Sequence, residues 1–202
     1  MRVRTASVLI AAMAATVVGV SASPAAAMAD INATYPINGV SHINSNDSDL
    51  PLGPGTLKAT VNLDNGALTA SVSLPPATGN FKELGFIPVT ATVELTEAEP
   101  TTGSLNLNTG AMQSTSHMNL RLTRLTIAGL PAPVGSRCQT VRPAEIPLTS
   151  QPGFSVRRGG DVSGTYTIPP FEHCLLNTGL INLTIPGPGN TLTLTLGPAV
   201  IG

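Results

Sequence analysis

Between residues 56 and 74, apolar and polar side chains alternate one for one on either side of Asp64-Asn65-Gly66-Ala67. A two-residue period puts every second side chain on the same face of a strand and cannot form one face of a helix. Leu57, Ala59, Val61 and Leu63 alternate with Lys58, Thr60 and Asn62, and Leu68, Ala70, Val72 and Leu74 alternate with Thr69, Ser71 and Ser73. Asn-Gly signals a two-residue type I′ hairpin turn, because that turn needs positive φ at both central positions. The turn would pair Asp64 with Ala67, and so predicts Leu63 opposite Leu68, Val61 opposite Ala70, Ala59 opposite Val72 and Leu57 opposite Leu74. One face is then apolar and the other polar, as a half-buried antiparallel pair requires.

The same idiom returns along the chain. Leu105-Asn106-Leu107-Asn108-Thr109-Gly110-Ala111-Met112 echoes Val61-Asn62-Leu63-Asp64-Asn65-Gly66-Ala67-Leu68, although eight residues of a β-turn idiom are thin support for duplication. Val89, Ala91, Val93 and Leu95 mark a strand that is expected to end in an acidic turn at Glu97-Ala98-Glu99-Pro100. Met118, Leu120 and Leu122 share one parity while Leu125 and Ile127 share the other, so a bulge or break is predicted at Thr123-Arg124. Residues 162–168, 180–185 and 191–196 read as strands, the last two linked by a turn at Pro186-Gly187-Pro188-Gly189-Asn190. With 18 Pro and 20 Gly, long helices are disfavoured. The expected fold is all-β, an antiparallel β-sandwich or open barrel, with two β lobes as an alternative whose boundary would fall near 130–137.

The first 29 residues have the layout of an export signal. Arg2 and Arg4 precede an apolar stretch over 8–20, and small residues at Ala25/Ala27 or Ala27/Ala29 supply the A-x-A spacing. The apolar stretch is shorter than the roughly 20 residues that cross a bilayer, so a cleaved signal over 1–29 is expected, followed by a secreted β domain over 30–202. No Cys near the cleavage site offers a lipid anchor, and no later segment is apolar enough to be a transmembrane helix. Removing the signal takes Lys plus Arg from 10 to 8 against 11 acids, a balance of −3. Nucleic acid is therefore not an expected partner, since binding it needs a basic surface. The two cysteines, Cys138 and Cys174, suit an oxidising compartment and an expected disulfide. Closing that loop stabilises a fold by roughly 3–4 kcal/mol in the chain-entropy account. A reactive thiol at Cys174 with His173 is the competing reading, but neighbours on a strand point to opposite faces.

Motifs for chemistry are few. The sequence holds no G-x-S-x-G elbow, P-loop, H-E-x-x-H or complete dinucleotide fingerprint, and no cofactor is expected. Gly159-Gly160-Asp161-Val162-Ser163-Gly164 fits a turn entering a strand better than a nucleophile site. His42, His117 and His173 lack metal-ligand spacing. Asn44, Asn46, Asp47, Ser48 and Asp49 gather oxygens of the kind Ca²⁺ prefers, but without the Gly and final Glu of an EF-hand, so a solvated Asx-rich turn is the plainer reading. A catalytic pair would have to be assembled from separate loops, such as Asp161 with Glu172 or His173.

Cys138, Thr140 and the 143–148 run, Gly164-Thr165-Tyr166-Thr167-Ile168-Pro169-Pro170-Phe171 leading to Cys174, and Gly187-Pro188-Gly189-Asn190-Thr191-Leu192 together resemble a group of small exported actinobacterial proteins of unknown function. The resemblance spans mainly residues 138–198. It implies an all-β secreted module with paired cysteines at Cys138 and Cys174, and brings no catalytic residue with it. The functional expectation is a secreted, non-catalytic binding or structural protein of the cell envelope, partnered by an envelope lipid or protein. A lipid-binding protein is the first alternative and a hydrolase with an unrecognised site the second. Sugar binding is disfavoured by the absence of Trp and an aromatic content of 3%.

Overall fold

The structure is a computed structural model that describes residues 30–83 and 85–202, so the expected signal over 1–29 lies outside the described residues. Thirteen strands follow in order: β1 (Ile31–Ile43), β2 (Ser48–Val61), β3 (Ala67–Ser73), β4 (Ala77–Glu83), β5 (Ile87–Leu105), β6 (Met112–Ile127), β7 (Leu130–Ala132), β8 (Gln139–Thr140), β9 (Ala144–Ser150), β10 (Gly160–Ile168), β11 (Phe171–Glu172), β12 (Gly187–Leu196) and β13 (Val200–Ile201). A short helix, α1 (Thr178–Thr184), precedes β12. The all-β expectation holds.

All thirteen strands belong to one antiparallel sheet, and its ladders return to their start. Going round, β1 pairs β2, β2 pairs β3, β3 pairs β5 and β5 pairs β6; β6 then pairs β9, β9 pairs β10, β10 pairs β12 and β12 pairs β1. Outside this eight-strand ring, β4 lies on β5, β7 and β8 on β6, β11 on β8, and β13 on β1. The Pro-rich residues 130–137 carry β7, and the strands before and after them join the same sheet.

Alternation decides which side chains the ring encloses. Leu192, Leu194 and Leu196 are buried while Thr191, Thr193 and Thr195 are exposed, and Met118, Leu120 and Leu122 are likewise buried. Each such aliphatic side chain contributes about 1.5–3 kcal/mol on burial. The outward positions are mostly Thr, Ser and Asn, the reverse of a strand ring embedded in lipid, whose outer band is apolar. The bulge expected at Thr123-Arg124 is present: Thr92 opposes Arg124 and Val93 opposes Leu122, leaving Thr123 unpaired in the ladder.

Four local expectations are corrected. The first hairpin pairs Val61 with Leu68, Ala59 with Ala70 and Leu57 with Val72, two residues away from the predicted register. The cause is Asn62, whose Oδ1 accepts from the N–H groups of Asp64 and Asn65 at 3.0 and 3.2 Å and so builds a longer loop. The loop closes with Gly66 N–H on the Asn62 carbonyl at 2.8 Å, and only Gly66 of the Asn-Gly pair has positive φ. Asn106 repeats every one of these bonds with Asn108, Thr109 and Gly110, so the two hairpins share a loop design. Second, Glu97-Ala98-Glu99-Pro100 is not a turn; β5 runs through it with irregular pairing on both sides of Glu99. Third, residues 180–185 lie mainly in α1, where Ile181 and Ile185 recur at helical spacing and pack on Phe81, Val89, Leu125 and Ile127. Fourth, the Gly-Pro-Gly-Asn segment from Gly187 is already strand, opposite Ile168 and Tyr166.

Candidate functional site

The ring encloses two apolar cavities stacked along its axis. The lower, about 70 Å³, lies at the end bearing the Asn62 and Asn106 loops, and its lining draws on all eight ring strands. The upper, about 60 Å³, lies towards the β1–β2 turn and α1. Leu52, Leu95, Ile146 and Leu192 line both and form a waist between them.

Both ends are plugged. Below, Phe154 and Val156 of the β9–β10 connection line the lower cavity, and the Tyr35 hydroxyl donates to the Val156 carbonyl at 2.7 Å. Above, α1 is docked by Asn182, whose Oδ1 accepts from Phe171 N–H at 2.7 Å and whose Nδ2 donates to the Phe171 carbonyl at 2.8 Å. The Cys138–Cys174 disulfide, fully buried, pins the approach to β8 to the end of β11 beneath this helix. Cys174 is thus not a free thiol. Asn190, also fully buried, ties the turn after β1 to β10 and β12: its Oδ1 accepts from Asn44 N–H at 3.0 Å, and its Nδ2 donates to the carbonyls of Gly187 and Tyr166 at 2.7 and 3.3 Å.

The few polar groups inside are already engaged with one another. Ser41 and Tyr166 share a buried hydrogen bond of 2.7 Å beside the upper cavity, and Thr101 and Ser116 share one of 2.7 Å beside the lower. Burial pushes the hydroxyls of Tyr35 and Tyr166 above their ordinary pKa, with the Ser41 bond partly opposing this at Tyr166. Apart from Asp49 at the upper rim, no carboxylate, imidazole or amine lines either cavity among the described residues. The arrangement offers an apolar group a lining of apolar side chains.

One stretch of the wall differs from the rest. The β3–β5 ladder stops at Ala70 opposite Thr101, and above it β5 turns its edge to β4 instead. Among the described residues, no backbone pairing joins β4 to β2, although the two lie side by side at Gly79 and Leu50. The Glu97 carboxylate bridges this seam. It accepts from Ser71 Oγ at 2.8 Å, from Val72 N–H at 2.9 Å and from Thr101 Oγ1 at 3.4 Å, replacing a backbone partner with a side chain. Seven inward apolar residues that are only half-buried, Leu50, Leu57, Val72, Leu74, Phe81, Val93 and Leu95, all border the seam and line one or both cavities.

Of the polar residues singled out from sequence as candidate ligands or catalysts, Asn46, Ser48 and Asp49 border the upper cavity and the others line neither. In the β1–β2 turn, Asn44 Nδ2 donates to the Pro188 carbonyl, Asn46 Oδ1 accepts from Ser48 Oγ, and His42 stands between Asp49 and Asp47 at 2.9 and 3.6 Å. Among the described residues, no group of three His, Cys, Asp or Glu side chains is placed to hold a metal. His117 faces Glu99 at 2.9 Å and His173 faces Glu172 at 3.7 Å, so the three histidines lie on separate elements. Asp161 accepts from Thr195 Oγ1 at the lower end of β10. Glu172 and His173 follow the upper end, about 23 Å of strand away at 3.3 Å per residue. Glu97, by contrast, was hidden in sequence by its place in an apparent turn. No family model, curated protein or solved structure matches this chain.

Proposed function

We propose that the protein is an exported, non-catalytic binding module whose eight-strand ring works as a barrel and holds a slender apolar group, such as an acyl or isoprenoid chain of an envelope lipid. The observation that carries this reading is the lower cavity, whose lining comes from all eight strands and is predominantly apolar, with Thr101, Ser114 and Ser116 among its few polar members. An apolar cavity stays dry and takes apolar guests; one of about 150 Å³ accepts benzene. The two cavities here, about 70 and 60 Å³, suit the thin end of a chain passed through the Leu52–Leu95–Ile146–Leu192 waist. They do not suit a bulky ring system. The disulfide and the export-signal layout agree with work outside the cytosol, and no helix among the described residues is long and apolar enough to cross a membrane.

Purified protein titrated with parinaric acid, a fluorescent fatty acid, tests the reading. Binding is expected to saturate at one equivalent, and the double variant Ala70→Leu/Ala91→Leu, which fills both cavities from within, is expected to abolish it while keeping the circular dichroism of a β protein. Wild-type protein that binds no parinaric acid and yields no lipid on solvent extraction ends the proposal. The mass of protein harvested from culture medium tests export: the chain should begin between residues 28 and 30.

A further inference from the structure

We propose that the apolar guest reaches the interior sideways, through the seam bounded by β2 and β3 on one side and β4 and β5 on the other, and that Glu97 is the latch that holds this seam shut. The inference rests on the reading that the interior binds an apolar chain, and adds the route.

Elimination and exposure both lead to it. The lower end is closed by Phe154 and Val156, and the upper by α1, with Ile181 buried and Asn182 bonded both ways to Phe171. Every other junction of the ring is a backbone ladder; the shortest, β9–β10, pairs only Ser150 with Val162 and Thr149 with Ser163, but Gln151 adds bonds to the Asp161 carbonyl and Ser163 Oγ at 2.8 Å each, and Gly164 lies close against the Pro147 carbonyl. The seam lacks a ladder above Ala70 and Thr101. Along it the β3 and β5 sides are joined by the bonds to one carboxylate, and the chain crosses once, through Leu74-Pro75-Pro76 between β3 and β4. β4, which lies across the opening, is paired along one edge only, so it can shift with β5 away from β2, pivoting on the three residues 74–76 that tie it to β3. Seven half-buried apolar side chains lie along this line, compared with Phe154 and Val156 at the lower end and Ile185 at the upper, giving a chain its longest apolar path from solvent to both cavities. Glu97 acts through the wall and touches no guest; it is a positioning residue.

A reversible staple tests the route. A Cβ built on Gly79 stands 3.9 Å from the Leu50 Cβ, within the range a disulfide needs, about 3.5–4.5 Å. In Leu50→Cys/Gly79→Cys protein, stopped-flow uptake of parinaric acid is expected to slow by roughly tenfold or more on oxidation, as when opening limits binding. Mild reduction should restore it, the native Cys138–Cys174 bond being checked by mass. Glu97→Gln, which removes the charge at unchanged shape, is expected to speed uptake and release by similar factors and leave Kd nearly unchanged. Oxidised staple protein that takes up the probe at the reduced rate, together with unaltered rates in Glu97→Gln, overturns the lateral route while the binding reading stands. Wild-type protein that never binds the probe overturns both.

Discussion

Replacing Asn190 by Ala removes a side chain that is fully buried and makes three hydrogen bonds, to Asn44 N–H and to the carbonyls of Gly187 and Tyr166. A typical intramolecular hydrogen bond contributes about 1 kcal/mol net, and a buried group left without its partner costs about 1–3 kcal/mol. Some of the three orphaned groups will recover water at the upper rim, so a total near 3 kcal/mol is expected. In a domain of this length each kcal/mol moves the melting temperature by roughly 2–4 °C, giving a fall of about 6–12 °C. Asn190→Asp separates hydrogen bonding from packing. It keeps the volume and the acceptor for Asn44, but turns an oxygen towards two carbonyls, and should be at least as damaging as Ala. Differential scanning calorimetry of both variants provides the measurement. An Ala variant melting within about 2 °C of wild type, or an Asp variant that matches wild type, would show that the buried amide is not what ties these segments together.

Three further outcomes are expected. Cys138→Ala/Cys174→Ala protein should lose roughly 3–4 kcal/mol in urea unfolding, as the loss of a cross-link over this separation implies, and an unchanged midpoint would contradict it. Gly66→Ala and Gly110→Ala share a positive φ, but a Cβ at Gly66 would lie 2.2 Å from the Leu105 carbonyl oxygen whereas one at Gly110 meets nothing within 4 Å. Gly110→Ala should therefore cost about 1 kcal/mol and Gly66→Ala clearly more; equal melts would refute the steric argument. Tyr35 and Tyr166 have pKa values raised by burial above the ordinary 10.0, so their stabilising effect is full below pH 10 and lost as pH climbs through the folded-state values. Tyr166→Phe should be less stable near neutrality, having lost the Ser41 bond, yet show a shallower decline above pH 10; a decline as steep as that of wild type would count against the linkage.

The sequence was a good guide to which face each residue occupies and a poor one to which strands meet. Alternation in 57–61, 68–74, 118–122 and 191–196 placed inward and outward side chains correctly, because a pleat imposes that period locally, whereas Leu63, expected on the inward face, lies in the loop after β2. Register failed in the first hairpin because one side-chain oxygen, on Asn62, reorganised a loop that dipeptide preference alone assigned to a tighter turn. Residues 180–185 satisfied both a two-residue and a four-residue period, and packing of Ile181 and Ile185 on the upper end of the ring chose the helix. β1 escaped notice because Pro36 and Gly39 dilute its pattern, and β4 because Gly79 and Asn80 do the same. The cavities were not legible at all. They exist because residues far apart in the chain, Tyr35 with Leu194 or Leu68 with Leu105, are brought round a common axis, and no local period carries that information.

Closure of the ring depends on pairing β1 with β12, where Ile37 meets Leu196 across more than 150 residues. Until β12 is present, β1 and β10 each expose an unpaired edge and an apolar face, so a chain interrupted earlier would be adhesive rather than half-finished. Contacts of such long sequence separation slow the search for the native state, placing expected folding in the millisecond-to-second range or beyond. On the proposed export route, a chain that remains unfolded for that long would still be threadable on meeting a translocation channel, and would acquire its shape on the far side.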